Sequence, residues 1–530
     1  YESSLKYRPN YADAYNNLGI TYTKLRQFDE AKKANDNALK LKPDFAEGFA
    51  ARGRIFTELK KIDEALLCFQ RANDINPSLA YNFGSILNAK MNICDWHNLP
   101  SLLDQLNIKI SNNEMAIVPF DLLGLIDDPE LQGKSSKIYA DNEFPKNESL
   151  PKLECYSEHL KIRVGYFSAD FRMHPVATLT AELYEMHDRD YFEIFAFSFG
   201  PNTQDDMTRR IKDGVDHFYN VSSMSDQEIA LLSRSLEIDI AIDLGGYTAD
   251  SRTGIFAISA APIQVSYIGV LSSMGSKYYD YLIAGKTMIP KRNQKFFTEK
   301  IAYLPSYQVN DSKELPPDIK INRKDLGLPE EGFIFCCFNN TFKITPAVFD
   351  SWSRILEQVE HSILFLYADN NNAKLNLTKE ISKRGIDVNR LFFGESLPRD
   401  QYLARYRVAD LFLDTRPYNA GTTASDAMRM GLPVLTLKGN SFNSREASSI
   451  INSLNLPELI TSTEEDYESL AIKLAKQPKK YLKIKDKLLA NLSTAPLYKT
   501  ALFTKNIESA YKAMYERNQN GLDPEHIIVE

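Results

Sequence analysis

Three short segments of this 530-residue chain carry residue types that could hold and act on an anion. Arg416-Pro-Tyr-Asn-Ala-Gly-Thr-Thr-Ala-Ser-Asp426 follows an apolar run and opens an amphipathic one. A loop of small residues entering a helix gathers free N–H groups and the positive end of the helix dipole at one spot. Thr422 and Thr423 add two hydroxyls there, which suits a diphosphate. Asp426, one turn further on, could accept hydrogen bonds from a ribose. Simple N-capping by a hydroxyl is the competing reading. Cys337-Phe-Asn-Asn-Thr-Phe-Lys-Ile-Thr-Pro346 has the same form. Its Lys343 falls just past a strand and before a proline-opened helix, where an ammonium group could neutralise a leaving pyrophosphate; a solvated lysine is the alternative. Val164-Gly-Tyr-Phe-Ser-Ala-Asp-Phe-Arg-Met-His-Pro175 ends a strand with His174 before a helix. Of the seven histidines it is the one placed at a strand end facing a cleft, as base or as a group orienting an acceptor. Capping or core satisfaction is the competing role. Asp188-Arg-Asp190 matches a metal-binding Asp-x-Asp pattern, but it precedes a strand, on the wrong side for a ligand, and reads as a turn.

These segments need strands to carry them. From Lys161 onward short apolar runs alternate with amphipathic ones. A first set of strands is expected at 162–167, 192–199, 238–243, 263–268 and 281–284, with helices at 176–185, 206–213 and 226–236. A second set is expected at 333–338, 363–367, 391–393, 411–413 and 434–437, with helices at 348–359, 373–384, 399–408 and 422–430. Strand–helix alternation implies two doubly wound α/β halves, residues 159–315 and 316–530, joined near Glu314–Glu331. Ligands in such sheets sit beyond the C-terminal strand ends, so the cleft between the halves is the expected site.

Residues 1–90 are different. Asn10–Pro43 and Asp44–Pro77 are consecutive 34-residue units. Tyr15, Leu18, Gly19, Tyr22, Ala31, Ala38 and Pro43 recur in phase as Phe49, Arg52, Gly53, Phe56, Ala65, Ala72 and Pro77. This is the tetratricopeptide pattern of an all-α helical hairpin. Small Gly19/Gly53 and Ala31/Ala65 allow close helix approach, large Tyr22/Phe56 fill the gap, and the prolines end the second helix. Asn35 and Arg52 stand where an aromatic and a leucine are usual. Tyr1–Pro9 reads as the end of an earlier repeat in an array cut away before it, and Ser78–Ala89 as the start of a third that decays. Such arms present concave surfaces to proteins or peptides; a spacer is the alternative. Residues 91–158 read as a helical linker.

Composition narrows the partners. Apolar residues at 43% and charged ones at 25% mark an ordinary globular chain. A net charge of −7 argues against nucleic acid or an anionic membrane as the main partner. No apolar run reaches the about 18 residues of a bilayer span. Five cysteines without a zinc or redox spacing read as reduced thiols of a cytoplasmic protein. A homodimer is left open.

Together these features resemble the family of protein O-linked N-acetylglucosamine (GlcNAc) transferases, including its SPINDLY branch. The likeness runs through the repeats, Arg163–Pro175, Asp243–Ile263, Phe338–Pro346 and Asp410–Val434. It implies the two-halved GT-B fold and an inverting, metal-independent transfer of GlcNAc to Ser and Thr hydroxyls of proteins. No cofactor is implied beyond the nucleotide-sugar co-substrate, UDP-GlcNAc. By the same likeness, Lys343 stabilises the departing diphosphate and His174 is the active-site histidine of the first half. Thr422 and Thr423 bind phosphate, and Asp426 binds ribose. Leu397 and Arg399 lie at the base, and Asn340 joins the nucleotide-binding set. The sequence departs from the family pattern at Gly421 (usually histidine), at Val270–Gly275, at Gly285 (usually acidic) and at Phe342 (a tyrosine in some members). Asn339–Asn340 and Lys343–Pro346 look closer to SPINDLY, whose members use GDP-fucose. GDP-fucose or UDP-glucose as donor, or a degenerate scaffold that binds nucleotide, are the alternatives.

Overall fold

The computed structural model describes every residue except Tyr1 and Asn202. The expectation for the first nine residues therefore falls partly outside the described residues; Glu2–Tyr7 is helical. The repeat arm follows as helices Ala12–Lys24, Phe28–Leu41, Ala46–Glu58 and Ile62–Ile75. The glycines matter as expected: a Cβ on Gly53 would lie 2.4 Å from the Phe69 ring, and one on Gly19 would lie 3.2 Å from the Ala31 carbonyl oxygen. The two departures from the repeat pattern turn out to be partners. Buried Asn35 donates to the Gly48 carbonyl at 2.8 Å and accepts from Arg52 Nε at 2.9 Å. One polar pair thus replaces an apolar one at the same interface. The decaying third repeat is a helix, Asn82–Asn92, packed on Ile62–Ile75.

The segment 91–158 is more than a linker. Helices Leu99–Ser111 and Pro129–Glu143 build a small core of their own with Asn82–Asn92, through Leu87, Leu106, Ile110 and Ile117. The same segment docks on the second half. Asp127 accepts from the Ser441 amide at 2.8 Å, and Gln132 donates to Asn443 at 3.0 Å.

The first half is a parallel sheet of β1 (Ile162–Ser168), β2 (Phe192–Ser198), β3 (His217–Asn220), β4 (Ile240–Asp243), β5 (Ile263–Ser266), β6 (Tyr281–Gly285) and β7 (Lys300–Leu304). The second contains β8 (Ile334–Cys337), β9 (Ile363–Tyr367), β10 (Leu391–Gly394), β11 (Leu411–Leu413), β12 (Val434–Leu437) and β13 (Ile460–Thr461). A last strand, β14 (Ile527–Ile528), pairs with β7. The orders are β14-β7-β6-β5-β4-β1-β2-β3 and β10-β9-β8-β11-β12-β13. In each sheet the order reverses beside the half's first strand, between β1 and β4 and between β8 and β11. Helices cover both faces, so the central strands are almost wholly buried and read as mostly apolar runs.

One boundary needs correction. The half expected over 316–530 does not keep its C-terminus. Helix Thr500–Gln519 crosses back and places Phe503, Ile507, Ala510, Tyr511 and Met514 in the core of the first half. Their spacing puts them on one helix face, and polar contacts fix the docking. Tyr511 meets the Tyr166 hydroxyl at 3.2 Å, and Glu508 meets His187 Nδ1 at 2.9 Å. The Asp188-Arg-Asp190 turn forms as expected: Asp190 N–H donates to the Asp188 carboxylate at 3.0 Å, and Arg189 ties the turn to the Gly214 carbonyl at 2.7 Å.

Candidate active site

Strand order brings the candidate residues together. The reversal between β8 and β11 sets the loop after β8, with Asn339, Asn340 and Lys343, beside the loop after β11, with Arg416–Thr423. The two loops are hydrogen-bonded to each other. Buried Asn339 donates to Thr415 Oγ1 at 2.7 Å and accepts from Thr423 Oγ1 at 2.5 Å. Thr345 donates to the Arg416 carbonyl at 3.3 Å. Across the cleft, the reversal between β1 and β4 presents Asp170 and His174 beside Thr248 and Asp250. His174, Asn340, Lys343, Leu397, Arg399, Thr422, Thr423 and Asp426 all line a single cavity of about 890 Å³ between the halves. Phe120, from the segment 91–158, closes one wall, its ring 6.4 Å from Phe342 and 6.1 Å from Tyr418.

Helix Thr422–Arg429 opens at Gly421 without a side-chain cap. Among the described residues no hydrogen bond uses the N–H groups of Thr422 or Thr423, so these donors and the positive dipole end face the cavity. The competing capping role is not taken up by either threonine. Half-buried Lys343 lies next to them, donating to the Asn419 carbonyl at 2.9 Å with its Nζ 3.6 Å from the Tyr418 ring centre. Burial lowers its pKa, while Glu446 and Asp414 hold it up. Both acids were invisible to the sequence reading. Asp414 ends β11 and accepts from the Thr415 and Ala420 amides at 2.8 and 2.7 Å and from the Thr436 hydroxyl at 2.7 Å. Glu446 comes from a helix beyond β12, and nothing in its sequence surroundings sets it apart.

Arg399 does not stand free at the cavity edge. Its guanidinium grips the Asp426 carboxylate at 2.7 and 2.8 Å and the Glu314 carboxylate at 2.9 and 3.0 Å. Asp426 is fully buried, and burial keeps its pKa raised although the Arg399 pairing pulls it down in part. Each carboxylate oxygen keeps a lone pair for another donor. His174 caps helix Pro175–Met186: its Nδ1 accepts from the Val176 N–H at 3.3 Å and lies 3.5 Å from Asp170. Burial lowers its pKa, so the neutral ring dominates near pH 7. With Nδ1 accepting, the proton of the neutral ring sits on Nε2.

Comparison with known proteins decides the family. The model of glycosyl transferase family 41 matches residues 146–322 and 307–507, and tetratricopeptide models match 12–45 and 46–79. The chain belongs to glycosyl transferase family 41. It is 34% identical over 376 residues to an Arabidopsis thaliana protein named "Probable UDP-N-acetylglucosamine--peptide N-acetylglucosaminyltransferase SEC", covering 70% of this chain and 38% of that one. It is 27% identical over 372 residues to the tomato (Solanum lycopersicum) protein of the same printed activity named SPINDLY, covering 68% and 39%. The chain thus spans about two fifths of the length of these curated relatives. A solved structure of the Thermobaculum terrenum O-GlcNAc transferase, a lysine-to-methionine mutant, superposes with a TM-score of 0.79 at 25% identity, covering 96% of this chain and 98% of that one. The GT-B arrangement with a helical repeat arm is therefore the family fold.

The family's departures at this site now have places. Val270–Gly275 is a buried loop pinned from behind, with the Glu299 carboxylate accepting from Ser273 Oγ at 2.7 Å and from the Met274 amide at 2.5 Å. Gly285 lies at the end of β6, with Ser449 Oγ 3.7 Å from where its Cβ would be. Gly421 is filled from outside: a Cβ there would lie 2.1 Å from a Glu446 carboxylate oxygen.

Proposed function

We propose that this chain is an inverting, metal-independent glycosyltransferase that moves GlcNAc from UDP-GlcNAc to Ser and Thr hydroxyls of proteins. The observation that carries this reading is the juxtaposition of Lys343 with the open N-terminus of helix Thr422–Arg429, facing His174 across one cavity. The diphosphate lies against the Thr422 and Thr423 N–H groups and hydroxyls, and Asp426, held by Arg399, receives the ribose hydroxyls. Leu397 and Asn340 border the base. The acceptor oxygen attacks the anomeric carbon from the side opposite the diphosphate, the bond to the leaving phosphate oxygen breaks, and the hydroxyl proton is released through water to the departing UDP. Charge grows on that oxygen, where Lys343 and the helix dipole meet it. His174, as an Nε2–H donor, orients the acceptor rather than deprotonating it. The printed names of both plant relatives give UDP-N-acetylglucosamine as donor, which supports the choice of sugar.

The repeat arm brings the acceptor. Its Arg26 reaches Asp250 on the cavity rim at 3.6 Å. At its base a hollow of about 640 Å³, lined by apolar Ile20, Ile62 and Phe69 and by polar Arg54, Asp121 and Glu143, gives an extended peptide room to lie.

A second reading keeps the site and changes the donor to GDP-fucose or UDP-glucose; the altered Gly421 surroundings favour weighing it. Calorimetry with UDP-GlcNAc, UDP-glucose and GDP-fucose separates the donors, and labelled UDP-GlcNAc with lysate proteins tests transfer. Tightest binding of UDP-GlcNAc with label on Ser or Thr is expected. Binding without transfer from any donor would leave only a nucleotide-binding scaffold.

A further inference from the structure

Glu446 is the first residue of helix Glu446–Ser453, 9% exposed, and its carboxylate lines the cavity. It packs so closely on Gly421 that a Cβ there would sit 2.1 Å from Oε1 and 2.6 Å from Cδ. That places an acid at the entrance of helix Thr422–Arg429, where an anion would bind. Among the described residues no hydrogen bond ends on this carboxylate. Several groups face it: Lys343 from the turn Thr341–Lys343, Asp414 from the end of β11, Tyr418 from the loop that follows, and Tyr307 from beyond β7. Lys343 is the one cation among them. Lys343 and Glu446 attract each other as opposite charges.

A nucleotide diphosphate brings two negative charges to the same lysine and the same helix end. It draws on the cation that keeps Glu446 ionised and adds like charge beside it, and both effects favour the neutral acid. We propose that Glu446 takes up one proton when the diphosphate of the donor binds, and as a neutral acid donates its O–H to a phosphate oxygen. Gly421, lacking a side chain, leaves the room this carboxyl uses. Burial, with Asp414 adding to it and Lys343 pulling against it, pushes the carboxyl up to about 7. Above neutrality the unbound acid is ionised, and binding must draw the proton from solvent. Nucleotide affinity then falls as pH rises. This inference rests on the reading of the Thr422–Thr423 helix end as a diphosphate site.

The test is calorimetry of the full chain with UDP-GlcNAc, whose doubly esterified diphosphate does not itself titrate near neutrality. Buffers of different ionisation enthalpy count the protons taken up. For the wild type, uptake approaching one proton per nucleotide is expected near pH 8, with affinity falling about tenfold from about pH 7.5 to 8.5. Glu446→Gln, which keeps the shape and the donor, should bind without that uptake and more tightly than wild type at the upper end. A difference infrared spectrum should show a protonated carboxyl band appearing with nucleotide in the wild type and missing from E446Q. No proton uptake by the wild type, or equal uptake and an unchanged infrared band in E446Q, would overturn the proposal. Absence of nucleotide binding by both proteins at every pH would instead overturn the diphosphate reading beneath it.

Discussion

Lys343 and Arg399 show how differently two cations in one cavity behave. Lys343 has a carbonyl and a ring as neighbours and two acids at longer range. On the proposed reading its job lies in the charge that develops during transfer. Lys343→Ala should lower turnover about 10²–10³-fold, the usual scale for losing one such donor, while nucleotide binding and the folded state persist. Arg399 is structural as well as ligand-facing, because it separates two acids. Arg399→Ala leaves Asp426 and Glu314 side by side with Arg429, 3.8 Å from Glu314, as their remaining counter-charge. A stability loss of about 3 kcal/mol is expected, seen as an earlier denaturation midpoint and partly recovered by adding Glu314→Gln. Asp414 and Glu446, both pushed up to about 7 by burial, give a pH signature. Their folded pKa values lie above the unfolded ones, so between about pH 4 and 7 the folded state holds protons that the unfolded chain has released. Stability from these groups is thus greatest at the acid end of that window and is lost as pH rises through it. Denaturation midpoints across the window should fall less steeply for E446Q than for wild type. The sequence exposed Lys343 and the threonines because each follows a strand and precedes a helix. Glu446 and Glu314 reach the site only through tertiary packing, from positions without a local signal.

At the level of elements, β1, β2, β4 to β6 and β8 to β12 were legible as short, mostly apolar runs, whereas β7, Lys300–Leu304, was not expected although it is paired on both sides. β3 was not, since His217-Phe-Tyr-Asn220 is a partly exposed edge of four residues. β13 and β14 are two residues each, and β14 exists only because the chain returns to β7. The returning helix Thr500–Gln519 had a readable amphipathic face, but nothing local says which half that face meets. Its attachment can be measured. Ile507 is fully buried in the first half's core, and Ile507→Ala should cost about 2–5 kcal/mol. Hydrogen exchange should then speed up in β1 and β2, far from residue 507 in sequence, more than in β8 and β9. The reverse pattern would put the helix in the wrong half.

For the whole molecule, the arm and the GT-B body are joined mainly by packing of helix Asn82–Asn92 between them. The direct bridges, Arg26–Asp250 at 3.6 Å and Lys60–Asp369 at 3.3 Å, are exposed ion pairs worth about 0–1 kcal/mol each. Among the described residues none of the two repeat hairpins lines the cavity between the halves, although Arg26 reaches Asp250 at its rim. The repeats announce themselves by their period, and the two halves by strand–helix alternation. The dual role of 91–158, as cavity wall and as brace between arm and body, depends on contacts such as Phe120 with Phe342 that no local pattern encodes. On the proposed reading the body binds the donor and the arm the acceptor, and one experiment addresses both. The full chain and Lys343→Ala are incubated with UDP-GlcNAc and a mixture of candidate proteins, and products are mapped by mass spectrometry. Single GlcNAc additions on Ser or Thr with the wild type, and none above background with the lysine variant despite retained nucleotide binding, are the predicted result. Equal modification by both proteins, or none by the wild type under conditions where it binds UDP-GlcNAc, would contradict the account.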